Sequence, residues 1–381
     1  MLHQSISRRA SARSRRDPTS PLRHVDPILL GCVGFLAIVG IVAVYSATRG
    51  PGPTFAHSYL FKQTMFVTIG IGVMAVLTFI DYRKLHDWAW AFYGITTALL
   101  VIVLSPLGSQ SNGAQSWFSL GPFQMQPAEF AKISLIGVLA FLLSEFRGDI
   151  DLRRLFALLG TAAVPMALII VQPDLGLTLV LVVIMMVMLL VGGLPTRYIV
   201  ALSALGLLGV VVALNSPVLH DYQRARLTAF MNPNDTSTSA VYNIQQSQQA
   251  IANGGVAGKG LFDGPQTKLG FVPEQETDFI FTAVAEQFGF IGSAVLLAVY
   301  GLLCWRIWRI AHIARDSFGT YLCMGVLAMF AFSAFENVGM AMGIMPVTGI
   351  PLLLISAGGS SIITSCAALG LVLNVHMRRF R

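Results

Sequence analysis

Apolar residues occupy this chain in long unbroken runs. Ten of the runs approach the length a helix needs to cross a hydrocarbon core, about 20 residues at 1.5 Å rise for about 30 Å. They fall at roughly 27–47, 60–80, 88–106, 127–144, 155–171, 175–192, 197–215, 279–304, 318–343 and 350–373. The pattern predicts an all-α integral membrane protein of about ten transmembrane helices, with a long outer-face loop at about 216–278 between helices 7 and 8. Residues 1–24, rich in Arg and Ser, are expected to form a basic, disordered cytoplasmic arm, and residues 25–381 a single polytopic membrane domain. The long loop carries Tyr222, Phe230, Tyr242, Ile251, Leu261, Phe262 and Phe271, so part of it should pack on the membrane surface.

Composition strengthens this reading: 55% of residues are hydrophobic and 11% charged, against about a quarter charged in soluble domains. The net charge of +7 does not call for nucleic acid, because the basic residues sit in short runs beside the spans, where membrane lipids are their natural partners. With the N-terminal arm inside, 18 of the 25 Lys and Arg fall on that side, which predicts both termini in the cytoplasm. The first span is longer than a signal-peptide core and lacks a small-residue cleavage site, so it should be retained. Cys32, Cys304, Cys323 and Cys366 lie singly inside spans, which suits neither a disulfide framework nor a zinc site.

Polar residues inside or beside the spans carry the candidate chemistry, because a charge within the bilayer is costly and usually points at a partner or a wet cavity. Glu129 and Lys132 share a helical face just after Pro127, which can start a helix without losing a hydrogen bond. They form either a structural ion pair or the lining of a cavity, the latter favoured by Trp117 and the polar loop before them. Asp174, between Pro173 and Gly176, is placed to cap the next helix. Asp81, Asp87 and the acidic residues of 145–154 read as solvated loop charge.

The densest constellation is F-V-P-E-Q-E-T-D-F-I-F-T-A-V-A-E, in which Glu274, Glu276 and Asp278 precede a span and Glu286 sits two turns inside it. Partial burial and neighbouring carboxylates would raise the pKa of Asp278, which suits a general base. Arg224, Arg226, Lys259 and Lys268 in the same loop would suit a diphosphate, although lipid headgroups would satisfy each of them singly. The stretch G-G-V-A-G-K-G at 254–260 lacks the first Gly and the final Ser or Thr of a nucleotide-binding loop and reads as a flexible glycine-rich loop.

Taken in order, Q-P-A-E-F-A-K at 126–132, Q-P-D-L-G at 172–176, Y-N-I-Q-Q-S at 242–247, G-K-G at 258–260, V-P-E-Q-E-T-D-F-I-F at 272–281 and M-P-V-T-G-I-P-L at 345–352, followed by G-G-S-S at 358–361, resemble the SEDS family of bacterial membrane glycosyltransferases, which includes the RodA, FtsW and SpoVE proteins. The resemblance covers nearly all of the chain after residue 25. It implies an inverting peptidoglycan glycosyltransferase of the hexosyltransferase class. Such an enzyme transfers the growing strand from polyprenyl diphosphate to the 4-hydroxyl of an incoming lipid II at the outer face of the bacterial inner membrane. It further implies Asp278 as the catalytic carboxylate, Glu129, Lys132 and Ser360 in the polar cavity, and a class B penicillin-binding protein transpeptidase as partner. The string departs from the family at Leu353, Leu354 and Ala357. G-P-Q-T before V-P-E-Q and T-D-F-I-F look more like RodA, hence elongation and rod shape, than FtsW-like division. No tightly bound cofactor is expected; a divalent cation, Mg or Mn, would serve the diphosphate where cationic side chains do not. A lipid II flippase and a scaffold for a partner enzyme are the rivals from other classes.

Overall fold

The computed structural model describes residues 24–49, 53–111, 114–120, 123–214, 224, 226, 229–230 and 239–380. The N-terminal arm, to residue 23, and much of 215–238 lie outside the described residues. Ten apolar helices carry the architecture: α1 (Pro27–Thr48), α2 (Pro53–Phe79), α3 (Tyr82–Val103), α4 (Pro127–Phe146), α5 (Leu152–Val171), α6 (Leu175–Val191), α7 (Thr196–Leu214), α10 (Ile280–His312), α11 (Ser317–Ala341) and α12 (Gly359–Met377). Eight are long and apolar enough to span a membrane, and α6 and α7 supply shorter apolar stretches. Two smaller helices, α8 (Ser239–Gly254) and α9 (Pro265–Leu269), precede α10.

The helices alternate between two ends of the bundle. One end carries both termini of the described chain, where His24 and Phe380 meet with ring centroids 5.0 Å apart. Aspartates start several helices by accepting from first-turn amides. Asp26 takes Ile28 and Leu29, Asp81 takes Arg83, Asp151 takes Arg154, Asp174 takes Leu177 and Asp316 takes Gly319. Asp81 and Asp151, read from the sequence as solvated charge, are therefore caps, each of a kind worth about 1 kcal/mol. The expected cap at Asp174 is present. Helices α4 and α12 are buried over most of their length, whereas α2, α3 and α5 turn wide faces outward. Close packing of α2 on α12 depends on glycine: a Cβ at Gly370 would stand 2.7 Å from the Met74 carbonyl oxygen.

Three features depart from the sequence expectation. The segment before α4, expected as a polar loop, is a three-stranded antiparallel sheet of β1 (Ser109–Ser111), β2 (Ala114–Leu120) and β3 (Phe123–Met125). The last helix starts at Gly359, although apolar character begins at Ile350. Gly349 (φ 77°) and Leu354 (φ 68°) are left-handed, and Pro351 has no N–H to continue a ladder. The resulting irregular segment is buried, and side chains from three helices satisfy its carbonyls. Gln63 of α2 donates to Ile355, Tyr300 of α10 to Leu353, and Asn337 of α11 to Ile350. Irregular backbone at this depth is tolerable where protein groups supply such partners.

The third departure concerns α10, which continues to His312 but breaks at Gly289 (φ 65°). The glycine-rich stretch, expected to be flexible, plugs that break. The Lys259 and Gly260 amides donate to the carbonyls of Glu286 and Gln287, and the Phe290 and Ile291 amides donate to Gly255 and Val256. Four backbone groups released by the kink are thus satisfied.

Candidate functional site

At the end of the bundle opposite the termini, residues 272–279 form a turn immediately before α10. Glu274 adopts a left-handed conformation (φ 50°), and its carbonyl accepts from the amides of Thr277, Asp278 and Phe279 at 3.3, 3.0 and 3.3 Å. This turn presents Asp278 half-buried. Asn337 of α11 donates to the Asp278 carbonyl at 2.7 Å and to the Ile350 carbonyl at 2.8 Å, clamping the turn to the segment that follows α11. Gly349, on that segment, lies so close that a Cβ there would stand 3.2 Å from Asp278 Oδ2 and 3.4 Å from Arg226 Nη1. Carboxylate and guanidinium thus share one small space. Burial pushes the Asp278 carboxyl up to about 6; Arg226 pulls it back down, while Glu274 and Asp174 push it higher.

A second polar cluster joins the first turns of α4 and α12 to the cap of α6. Glu129 and Lys132 pair at 2.8 Å with both side chains buried, and Thr364 donates to the Glu129 carboxylate at 3.2 Å. The Gln126 amide donates to Ser360 Oγ at 3.0 Å, and the Gln126 side chain donates to Asp174 at 3.1 Å. Burial also raises the Asp174 carboxyl, with its capping bond to the Leu177 amide opposing and Glu129 adding to the rise. A Cβ at Gly176 would stand 2.6 Å from the Thr348 carbonyl oxygen, so the start of α6 abuts the segment that carries Gly349. The two clusters are neighbours through Asp174 and this segment.

Of the basic loop residues, Arg226 is placed against Asp278, and Arg224 is half-buried nearby in sequence. Lys259 and Lys268 stay at the loop surface. Lys259 is tied through its amide to Glu286, eight residues beyond Asp278 and so about 12 Å along a helix. The nearest acid to Lys268 is Asp263 at 4.0 Å. These two lysines are not gathered around the carboxylate as the sequence suggested, because the loop folds back onto the α10 break. Trp117 lies half-buried in β2, paired across from Ser109. Glu274 is exposed. Glu286 is fully buried and accepts from the Gln266 and Thr267 amides and the Thr267 hydroxyl at 2.8, 2.9 and 2.6 Å, which makes it the anchor of α9.

Sequence reasoning passed over Asn337, Glu336 and Thr348. Glu336 is buried and accepts from Thr348 at 3.0 Å, bracing the same segment that carries Gly349. The signal was there: Glu336 and Asn337 are adjacent polar residues inside an apolar span. Among the described residues, no three His, Cys, Asp or Glu side chains gather in a metal-ligating group.

A ten-helix apolar bundle with a half-buried carboxylate and guanidinium at one end defines a multi-pass membrane protein with a polar site built on its helix ends. Residues 27–380 match the cell cycle protein family of FtsW, RodA and SpoVE, and the chain belongs to that family. It is 36% identical to stage V sporulation protein E of Bacillus subtilis, covering 94% of this chain and 97% of that protein. To the peptidoglycan glycosyltransferase MrdB of Escherichia coli K12 it is 35% identical, covering 93% and 94%. Among solved structures, Thermus thermophilus RodA superimposes with a TM-score of 0.70 at 32% identity, over 94% of this chain and 98% of that one. A chain from a study of how a peptidoglycan synthase complex coordinates polymerization and crosslinking superimposes with a TM-score of 0.80 at 34% identity, over 94% and 99%.

Proposed function

We propose that this chain is a peptidoglycan glycosyltransferase that polymerises lipid II, with Asp278 as its general base. The observation that carries the reading is the setting of Asp278: half-buried, raised to about 6, beside Arg226 and clamped by Asn337. A base with such a pKa is mostly ionised at neutral pH and still accepts a proton, which is the balance general-base catalysis needs. The 4-hydroxyl of an incoming lipid II sugar attacks the anomeric carbon of the growing strand, and its proton passes to Asp278. The bond from that carbon to the diphosphate breaks, polyprenyl diphosphate departs with the electron pair, and the single displacement inverts the anomeric centre.

Arg226 is the first candidate to hold the leaving diphosphate, with Arg224 beside it in sequence and Mg or Mn as the alternative counter-ion. Glu129, Lys132, Asp174 and Ser360 shape the adjoining polar wall. The partner is a class B penicillin-binding protein transpeptidase, a reading supported by the resemblance to a chain from a peptidoglycan synthase complex. The motif strings at 264–267 and 277–281 favour a role in elongation over division. In this reading residues 25–381 act as one unit in the inner membrane, with the termini cytoplasmic and Asp278 on the outer face.

The test is strand synthesis from lipid II by the purified protein. Asp278→Asn keeps size and neutral hydrogen bonding but removes the proton acceptor, and it should lower the rate by about 10²–10⁴-fold. Monodispersity in detergent should be unchanged. Near-normal polymer from the variant would remove Asp278 as base. Lipid II transport by a wild type that makes no polymer would favour a flippase.

A further inference from the structure

A second charged feature lies at the opposite end of the bundle, remote from Asp278 and unused by the proposed reaction. A cavity of about 290 Å³ there is lined by His24, Asp26, Arg306, Arg309, His376 and Arg379, with Val25, Pro27 and Ile313. Three chain segments distant in sequence therefore converge their basic residues on one space: the start of α1, the end of α10 and the end of α12. Asp26 is the one acidic residue of the lining, and it is already committed. Its buried carboxylate caps α1 and pairs with Arg306. The charge of Arg306 is thereby offset, whereas Arg309 and Arg379 add positive charge to the lining. A larger cavity of about 620 Å³ at the same end is different, because Arg83, Lys84 and Arg147 there face Asp81, Asp87 and Asp316 in equal number.

The position of the smaller cavity relative to lipid narrows the ligand. Ile291, Val295, Leu302 and Trp305 of α10 are all exposed, between 40% and 57%. At 100° per residue they fall on one stripe of the helix together with Arg309. An acyl chain lying along that stripe would lead its headgroup to Arg309. Trp88, Trp90, Trp305 and Trp308 are exposed at this end of their helices, as a tryptophan belt at a membrane boundary would be. The Arg309 guanidinium lies 5.5 Å from the Trp305 ring centroid, holding a cation at that level. Basic pockets between helix ends at this depth suit phosphate-bearing headgroups.

We infer that the cavity between the ends of α1, α10 and α12 binds the phosphate of an anionic phospholipid headgroup, with Arg309 and Arg379 as its main contacts and the exposed stripe of α10 as the bed of an acyl chain. The inference is independent of the reaction assigned to Asp278. It is tested by native mass spectrometry of the full chain, purified in detergent and supplied with phosphatidylglycerol, phosphatidylcholine or inorganic phosphate. The wild type should retain phosphatidylglycerol in preference to phosphatidylcholine. The double substitution Arg309→Gln with Arg379→Gln should weaken that retention by about 10- to 30-fold. Arg309→Lys with Arg379→Lys keeps both charges and should retain most of it, which separates lost charge from lost fold. Lys84→Gln with Arg147→Gln, in the other cavity, should leave it unchanged. Equal retention of the two lipids, or retention indifferent to the Gln double variant, would overturn the site. Inorganic phosphate that binds with the same sensitivity to the variants, while neither lipid does, would overturn its assignment to lipid.

Discussion

Four carboxylates within thirteen residues, Glu274, Glu276, Asp278 and Glu286, meet four different environments, and the environments sort their roles. Glu286 is sealed and accepts three hydrogen bonds, so it serves the fold. Glu276 is half-buried, raised by burial and shares a hydrogen bond with Tyr59. Glu274 faces solvent and contributes its carbonyl to the turn. Asp278 alone of the four combines partial burial, a guanidinium neighbour and a pKa of about 6. The cluster was legible in the sequence. Its sorting was not, because it depends on which backbone amides and helices come close, above all Asn337 and Gly349 from segments about 60 and 70 residues away. A pH profile follows from the raised pKa. A general base must be deprotonated, so activity should fall as pH drops through about 6 and level off above it. Arg226→Gln removes an influence that lowers the Asp278 pKa, so the acid limb should move to higher pH. Initial rates at limiting lipid II, measured across that range for both proteins, check this. A limb that stays in place in the variant would detach Arg226 from Asp278.

Among the elements, the spans were readable because about 20 apolar residues leave few alternatives to a transmembrane helix. The errors arose where apolar character and helical backbone part company. Residues 350–358 are as apolar as a helix would be, yet left-handed positions and Pro351 hold them irregular, with carbonyl partners that only the assembled bundle supplies. The glycine-rich stretch failed in the opposite sense: its partners are the carbonyls and amides of a helix break invisible in sequence. The shared face of Glu129 and Lys132 was legible from their spacing, and the structure adds that they pair directly in a buried setting. Such a pair adds little net stability over an apolar substitute, but losing one partner leaves the other charge buried. Lys132→Met should therefore destabilise the protein by about 3–5 kcal/mol. Pairing it with Glu129→Leu should recover much of the loss. Thermal unfolding in detergent of the two variants and the wild type measures both steps, and a double variant no more stable than Lys132→Met would contradict the ion-pair account. Activity need not recover with stability, since the pair shapes the polar wall of the proposed site.

For the molecule as a whole, helix number and the placement of the two chain ends together came from run lengths and the spacing of basic residues, both of which survive without any knowledge of packing. What they could not reveal is how unequal the two ends are. The termini end is held by ionic ties of Asp26 with Arg306, Asp81 with Arg378 and Asp316 with Arg83, and the Tyr82 hydroxyl donates to Asp316 as well. The other end carries the Asp278 turn, the sheet, α8, α9 and the irregular segment. The bias of Lys and Arg toward the termini end supports the proposed orientation with that end in the cytoplasm, by the positive-inside rule. The proposed reaction needs the same orientation, because strand growth at the outer face requires Asp278 there. Cysteine accessibility tests it directly. The native cysteines are three buried and one half-buried in helices, so their background labelling should be low. Asp263→Cys, on the exposed loop before α9, should react with a membrane-impermeant maleimide in intact cells. Ala10→Cys, in the basic arm, should react only after the membrane is opened. Labelling of both positions from the same side would reverse the topology or break the ten-span count, and with it the access of Asp278 to substrate on the outer face.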